Sequence, residues 1–267
     1  MAKKFKLPPI EKLATVDTAD SQYGNSLVEI TGVVSLAGQS GWGHSDGYEV
    51  HCFEFAAWRA TDNSLIERPL TILRPVRNSA EAFEDFEEAS VHRVQVLLSA
   101  NQMRAVFAKS IGSIADADLE EIGRRLKEPV IVITDRFGPL TLDRRINWFN
   151  GQAIWNGQDV AISIEPDEDK GLSSQLQTAE DLFGNSTKWD ELIRQFAVQE
   201  KLDLANDWQE EEVTAEEFLE RMTLESISIK PDGRFEFWHD DGDLFWGHSI
   251  RISGSLKEGL THADIQG

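Results

Sequence analysis

The sequence predicts an α+β protein of two small domains: an N-terminal β-rich domain that ends in a helix, and a C-terminal domain of antiparallel hairpins packed with helices. Apolar and polar residues alternate along short segments of the first half, hairpin-turn dipeptides recur in the second half, and helical periodicity occurs in both. A chain of 267 residues is long for a single core. Because Pro129 ends the helix of the first half, we expect domains at residues 1–128 and 129–267.

The first domain is predicted to be a small twisted sheet or a partial barrel. In each of three predicted strands, every second residue lies on the same face. These residues are Val28, Ile30, Gly32 and Val34 in the first strand, His51, Phe53, Phe55 and Ala57 in the second, and Val94, Val96 and Leu98 in the third. The helix that follows has Leu119, Ile122 and Leu126 at helical spacing, and acidic residues at its start suit the helix dipole.

Two Asn-Gly dipeptides, Asn150–Gly151 and Asn156–Gly157, predict two consecutive hairpins at the start of the second domain, because this pair suits two-residue turns. The resulting register places Trp148 opposite Ala153, Ile146 opposite Trp155, and Ala153 opposite Val160.

Two helices are predicted after these hairpins. Trp189, Leu192, Ile193 and Phe196 form one apolar stripe, with Ser186 or Thr187 as the expected N-cap. The second helix begins with a capping box in which Thr214 and Glu217 exchange hydrogen bonds with each other's backbone.

A three-stranded antiparallel ribbon is predicted near the C-terminus. A loop at Pro231–Gly233 and a second loop at Asp240–Asp243 give the following pairs: Ile229 with Phe235, Ile227 with Phe237, Glu225 with His239, His239 with Leu244, Phe237 with Trp246, and Phe235 with His248. Both histidines then lie on the buried face of the ribbon. Trp238 and Phe245 lie opposite each other on its other face.

The tetrapeptide Trp-Gly-His-Ser occurs twice, at residues 42–45 and 246–249. The first copy lies in a glycine-rich segment that predicts a turn, whereas the register above places the second copy inside a strand. These different settings favour coincidence over a duplicated site.

Three residues are candidate catalytic groups: His248, His239 and Glu225. A histidine oriented by a carboxylate can act as a general base, so His248 together with the Glu225–His239 pair would suit a hydrolase. The alternative is structural, with a cross-strand hydrogen bond for the pair and a buried ring bonded to backbone for His248.

The sequence predicts no metal site and no cofactor. Cys52 is the single cysteine, and a calcium loop that begins at Asp240 would need a glutamate where Arg251 stands. His239 and His248 are too far apart along the predicted ribbon to share one metal ion. The sequence also contains no P-loop, no dinucleotide-binding glycine pattern and no Gly-x-Ser-x-Gly elbow.

Acidic side chains outnumber basic ones by 47 to 26, and the formal net charge is −21. Such a surface repels nucleic acid and anionic membranes and steers a basic protein toward itself. We therefore expect an acidic protein that binds another protein. An example is an immunity-type protein that neutralises a basic bacterial toxin. The candidate contact residues are Trp246, Asp240, Asp241, Asp243, Glu210, Glu211 and Glu212, with EDFEE and EPDED as further acidic runs.

A cytoplasmic location is expected. The N-terminal segment MAKKFKLPPIEK has no apolar stretch of the signal-peptide kind, and nothing in the sequence approaches eighteen uninterrupted apolar residues. A single cysteine also suits a reducing compartment.

The segments FGPLTLDRRINWFNGQAIWNGQDVAISI and DGDLFWGHSIRISGSLKEGLTHADI resemble the domain-of-unknown-function 2262 family of bacterial proteins. The resemblance covers roughly residues 130–267. It implies a C-terminal module in which the Asp-Gly-Asp-Leu-Phe-Trp-Gly-His string is a family feature. It implies no activity, cofactor or catalytic residue.

Overall fold

The computed structural model describes residues 17, 22–37, 40–43, 49–60, 64–77, 86–167 and 171–267. The chain divides into two compact units, an N-terminal unit of Met1–Pro129 with Arg144–Ile146 and a C-terminal unit of Val130–Asp143 with Asn147–Gly267. Strands and helices occur in both units, which confirms the α+β class.

The described strands of the N-terminal unit form a closed barrel. They are β1 (Val28–Val34), β2 (Ser40–Gly43), β3 (Glu49–Ala60), β4 (Leu70–Val76), β5 (Val91–Leu98) and β6 (Arg104–Ser113). The ring runs β1–β5–β6–β4–β3 and closes through β1–β3, while β2 pairs only with β3. The β4–β6 pair is parallel, which gives the ring the topology of the OB fold, a five-stranded Greek-key barrel. The fold alone assigns no ligand.

Aromatic and branched side chains fill the barrel, as the alternation along β1, β3 and β5 predicts. Phe53 and Phe55 are buried in it together with Ile72 and Phe107. A bulge in the β1–β3 pairing places Trp58 inside the barrel as well, and leaves Ala57, predicted to share the face of Phe55, in the cluster outside it. Helix α1 (Ala117–Leu126) follows β6 and packs Leu119 and Ile122 against the outside of the barrel. The Asp116 side chain caps this helix by accepting a hydrogen bond from the Leu119 N–H at 3.2 Å.

A buried ion pair attaches the segment before β1 to the barrel. The Asp17 carboxylate, whose side chain is fully buried, accepts hydrogen bonds from Arg104 Nε and Nη2, each at 2.8 Å. The Tyr23 hydroxyl donates to the same carboxylate at 2.5 Å. The bidentate geometry and the extra donor compensate for removing the carboxylate from water.

The C-terminal unit contains an eight-stranded sheet with helices packed against it. Its elements are β7 (Ile131–Thr134), β8 (Gly138–Asp143), β9 (Trp148–Trp155), β10 (Gln158–Ile164), α2 (Ser173–Gly184), α3 (Ser186–Trp208), α4 (Ala215–Arg221), β11 (Thr223–Ile229), β12 (Arg234–Asp240), β13 (Ser249–Ser255) and β14 (Gly259–Gln266). The strands lie in sequence order from β14 to β7, and β10–β11 is the parallel pair among otherwise antiparallel ones. Helices α2 to α4 lie in the long connection that this parallel pair requires.

The Asn156–Gly157 turn is confirmed, but the hairpin predicted at Asn150–Gly151 is wrong. Asn156 and Gly157 have φ of 49° and 88°, and Ala153 lies opposite Val160. The chain instead reverses between β8 and β9 at residues 144–147, so the pairs predicted for Trp148 and Ile146 do not form. Gly151 lies within β9, where a Cβ atom would come within 2.5 Å of Leu140 Cδ2. This glycine allows close packing and makes no turn.

The predicted C-terminal ribbon is right at its first turn and wrong at its second. Ile229 pairs with Phe235 and Ile227 with Phe237, around a loop in which Gly233 has φ of 70°. The next strand, however, begins only at Ser249. Its partners therefore differ from the predicted ones: His239 lies opposite Ile250, Phe237 opposite Ile252, and Phe235 opposite Gly254.

The described part of the first Trp-Gly-His-Ser copy lies in a strand, and the second copy lies outside the strand predicted for it. Trp42 and Gly43 belong to strand β2, whereas His44 and Ser45 lie outside the described residues. The second copy lies mainly in the loop before β13 and enters the strand only at Ser249.

Helix starts follow local capping chemistry where the sequence provides it. Thr214 Oγ1 accepts from the Glu217 N–H at 3.2 Å, as the capping box predicts. Helix α3 begins after Asn185, and the Ser186 hydroxyl donates to Asn156 Oδ1 at 2.7 Å, so the N-cap expected at Ser186 or Thr187 is wrong.

Gly157→Ala should lower the free energy of unfolding by about 1 kcal/mol, because an L side chain is strained at a left-handed φ. Gly184→Ala is the matched control, since Gly184 ends α2 and an added Cβ would meet nothing within 4 Å. This control should leave stability unchanged or raise it by up to about 1 kcal/mol. Urea unfolding followed by circular dichroism measures both, and equal effects would contradict the turn assignment.

Candidate functional site

Residues 241–248 form a loop between β12 and β13, named here the Asp241 loop, with an unusual backbone. Gly242, Asp243, Trp246 and Gly247 all have positive φ, of 52°, 63°, 60° and 83°. A left-handed conformation is unfavourable for a bulky residue such as tryptophan and persists only where the surroundings impose it. Backbone strain of this kind is typical of functional loops.

The Asp241 carboxylate imposes this conformation. Its Oδ2 accepts hydrogen bonds from the Phe245 N–H at 2.6 Å and the Gly247 N–H at 3.2 Å, and its Oδ1 accepts from the Asp243 N–H at 3.1 Å. The side chain is almost completely buried, at 1% exposure of the residue. An anionic acceptor for three backbone donors in a buried place holds the loop in one shape.

The end of helix α3 supports the loop from outside. The Gln209 side-chain amide donates to the Asp243 carbonyl at 2.9 Å and to the Leu244 carbonyl at 2.8 Å. Glu210, Glu211 and Glu212 follow Gln209 directly and are exposed. The acidic run and the loop, which are separate in the sequence, are therefore brought together.

Phe245 and Trp246 have exchanged the positions predicted for them. Phe245 is fully buried and contacts Trp208 at a ring-centroid distance of 5.7 Å, whereas Trp246 is 71% exposed. The Trp246 ring lies 4.8 Å from the Trp208 ring. Phe245 thus anchors the loop, and Trp246 presents an aromatic surface to solvent.

His248 is half-buried at the end of the loop, and the predicted packing beside Phe235 is wrong. Its Nδ1 lies 2.6 Å from the Phe245 carbonyl, and since a carbonyl only accepts, Nδ1 is the donor. The ring stands edge-on to Trp208 at 5.6 Å. His248 therefore has a backbone-bonded structural role in addition to any chemical one.

The predicted Glu225–His239 pair does not form. A bulge between Leu224 and Ser226 places Leu224 opposite His239, and Glu225 is exposed. His239 is buried, as predicted, and burial lowers its pKa to about 4, with the positive charge of Arg194 contributing in the same direction. The register thus removes the cross-strand pair on which the hydrolase alternative was based.

The predicted contact residues have different roles in the structure. Asp240, Asp243, Trp246 and Glu210–Glu212 are exposed around the loop, while Asp241 is buried and acts through the backbone. Of the other acidic runs, Glu87, Glu88, Glu165 and Asp167 are described, and the remaining acidic residues lie outside the described part. Within the described ranges, no group of three metal-ligating side chains is present.

Sequence reasoning missed Trp208 and Gln209, which support the loop. In the run DWQEEEV, only the three glutamates are predicted contact residues, and nothing is predicted for Trp208 or Gln209. Its available signal was a tryptophan at the end of a helix within an acidic run, where a solvated surface has no need of a large aromatic ring.

Residues 134–265 match a family described as an uncharacterized protein conserved in bacteria (DUF2262). The match confirms the resemblance of the C-terminal half. No curated protein and no solved structure matches the chain. Among the described helices, none is long and apolar enough to cross a membrane.

Asp241→Asn should destabilise the protein by about 3 kcal/mol, because an amide N–H₂ would replace one of the oxygens that accept backbone N–H groups. Asp240→Asn is the matched control, since exposed Asp240 accepts from the Gly242 N–H alone and an asparagine oxygen can replace it. The control should change stability by less than about 0.5 kcal/mol. Urea unfolding curves of both variants test this, and equal losses would contradict the role of Asp241.

Burial of neutral His239 should make stability depend on pH. Its pKa is about 4 in the folded state against an ordinary 6.5, so the unfolded chain binds a proton that the folded chain rejects. The contribution of neutral His239 to the free energy of unfolding is complete above pH 6.5. It falls by about 3 kcal/mol as the pH decreases to 4. In urea titrations from pH 7 to pH 4, His239→Leu should lose less stability than wild type. A His239→Leu curve with the wild-type slope would refute the effect.

Proposed function

We propose that this protein, with a C-terminal half of the DUF2262 family, binds a basic protein through exposed Trp246 and the acidic residues around it. The surface consists of Trp246, Asp240, Asp243 and Glu210–Glu212 and is named the Trp246 surface. The observation that carries the proposal is a large aromatic side chain, 71% exposed, on a strained backbone that a buried carboxylate holds in place.

Rigid presentation of Trp246 supports a binding role. Tryptophan is among the residues most enriched at interface positions that dominate affinity. Association normally costs conformational entropy when loops and side chains become ordered. The Asp241 hydrogen bonds and the contact of Trp246 with Trp208 already order this loop in the free protein, so little of that cost remains.

Charge around the tryptophan indicates the chemistry of the partner. Asp240, Asp243 and the glutamates at 210–212 are exposed near an aromatic centre, and the whole chain has a net charge of −21. An apolar centre with a charged rim is the usual anatomy of a protein interface. Acidic rims increase the association rate with basic partners through electrostatic steering.

The partner class that best suits this surface is a basic toxin, which would make the protein an immunity-type inhibitor in the bacterial cytoplasm. An inhibitor must bind quickly, before its target acts, and opposite net charges serve that need. Inhibition needs no catalytic group on the inhibitor, which accords with the structural roles found for Asp241 and His248.

Affinity capture from the encoding bacterium, followed by titration of the purified partner, tests this proposal. The captured protein should be basic and should dissociate between about 50 mM and about 300 mM salt. Trp246→Ser should weaken its binding by at least roughly 30-fold. The triple variant Glu210→Gln, Glu211→Gln, Glu212→Gln should slow association about tenfold with little change in dissociation.

The matched control carries the same charge change elsewhere on the C-terminal unit, at Glu200→Gln, Asp203→Asn and Glu258→Gln, all at exposed positions. It should retain wild-type association kinetics to within about threefold. A partner that binds wild type and Trp246→Ser equally, or that is acidic, would contradict the proposal. Protection of growth on co-expression with the partner would show the immunity role, and its absence would limit the function to binding.

A further inference from the structure

The C-terminal unit contains a polar cavity of about 360 Å³ that is distinct from the Trp246 surface. It lies at the end of the sheet where β9 and β12 finish and β10 and β11 begin, beside helices α3 and α4. Its chemistry comes from Asn156, Gln158, Asp190, Arg194, Glu220 and His239. Its volume is within the range of small-molecule sites.

Internal hydrogen bonds fix the polar walls of the cavity. Trp155 Nε1 donates to Asp190 Oδ1 at 3.2 Å, Gln158 Nε2 donates to the Leu224 carbonyl at 2.8 Å, and Arg194 Nη2 donates to the Leu219 carbonyl at 3.1 Å. Each bond uses only part of the side chain. The second carboxylate oxygen of Asp190, the amide oxygen of Gln158 and the other guanidinium N–H groups therefore remain available to a ligand.

His239 is a second and independent observation. Its ring lines the cavity and the residue is 4% exposed, yet its Nδ1 is buried without a hydrogen-bond partner among the described residues. A buried polar atom without a partner is costly, and such an atom in a native structure calls for an explanation. A polar ligand bound in the cavity would lie beside this residue.

Side chains of both charge signs line the cavity and indicate the class of that ligand. Arg194 is placed to bind a carboxylate, and Asp190 and Glu220 are placed to bind an ammonium group. A lone anion would meet two carboxylates, and a lone cation would meet the guanidinium. A molecule that carries both charges matches both sets of groups.

We propose that this cavity binds a free α-amino acid, with Arg194 holding its carboxylate, Asp190 and Glu220 holding its ammonium group, and His239 contacting the polar atoms between them. Burial keeps the His239 ring neutral at pH 7, so it offers one donor and one acceptor and adds no third charge. The site is independent of the partner-binding surface proposed above.

Titration of the intact protein with each of the twenty standard amino acids, by calorimetry and thermal unfolding, tests this proposal. At least one should bind with a stoichiometry of one and raise the unfolding temperature by several degrees at saturation. Ethylammonium and acetate, which carry one charge each, should bind at least roughly 100-fold more weakly than that amino acid.

Variants place the binding in this cavity. Arg194→Gln and Asp190→Asn should each weaken the affinity at least tenfold, and Asp190→Asn keeps an oxygen for the Trp155 donor, so it should fold normally. Exposed Glu225→Gln, on the bulge of β11, is the control and should bind like wild type. His239→Leu should bind at least tenfold more weakly while its unfolding temperature in the absence of ligand stays level or rises, because the unpartnered nitrogen is gone.

Three results would overturn the inference: no amino acid binds at about 10 mM, a concentration that detects even weak sites; the single-charge probes bind as well as the amino acid; or the Asp190→Asn and His239→Leu variants bind it like wild type. None of these results depends on Trp246, so failure here and failure of the proposed partner binding are distinguishable.

Discussion

The Trp246 surface depends on the hydrogen bonds that the Asp241 carboxylate accepts. It accepts three backbone N–H groups within its own loop and is almost fully buried while doing so. Those bonds stabilise left-handed conformations at Asp243 and Trp246 that neither residue prefers. As a result Phe245 turns inward and Trp246 turns outward. A single buried acid therefore determines which of two neighbouring aromatic residues is available to a partner.

Helix α3 connects this loop with the polar cavity of the same unit. Asp190 and Arg194 lie in its first turns, and Trp208 is its last residue. At 1.5 Å per residue, Asp190 and Trp208 are about 27 Å apart along the helix axis. That distance separates the two proposed sites, so a substitution at one should leave the direct contacts of the other intact.

The N-terminal unit adds a barrel whose outside is partly covered by its own chain. The Asp17–Arg104 ion pair and the Tyr23 hydroxyl attach the segment before β1 to the start of β6. Removing one partner of such a buried pair would leave a charge without compensation, so Asp17 is firmly held against Arg104. The barrel topology alone assigns no ligand, and the proposals for function rest on the C-terminal unit.

The sequence by itself determined the features that local chemistry controls. Alternation in β1 and β5, the turns at Asn156–Gly157 and Pro231–Gly233, and the Thr214 N-cap all depend on residues close in sequence, and the structure contains each of them. The α+β class and the resemblance of the C-terminal half followed from the same kind of signal.

Only the tertiary structure decided where the chain departs from those local preferences. Gly151 lies within a strand, where Leu140 packs too closely for any larger residue. The dipeptide Asn150–Gly151 does not reveal this contact, because Leu140 is distant in the sequence. The loop before β13 is longer than the predicted four-residue turn and contains both Phe245 and Trp246. Its hydrogen bonds to Asp241, and not the alternation of a strand, therefore accompany the burial of Phe245 and the exposure of Trp246. The cavity around His239 joins residues from four strands, one turn and two helices, and no sequence spacing reveals such a meeting.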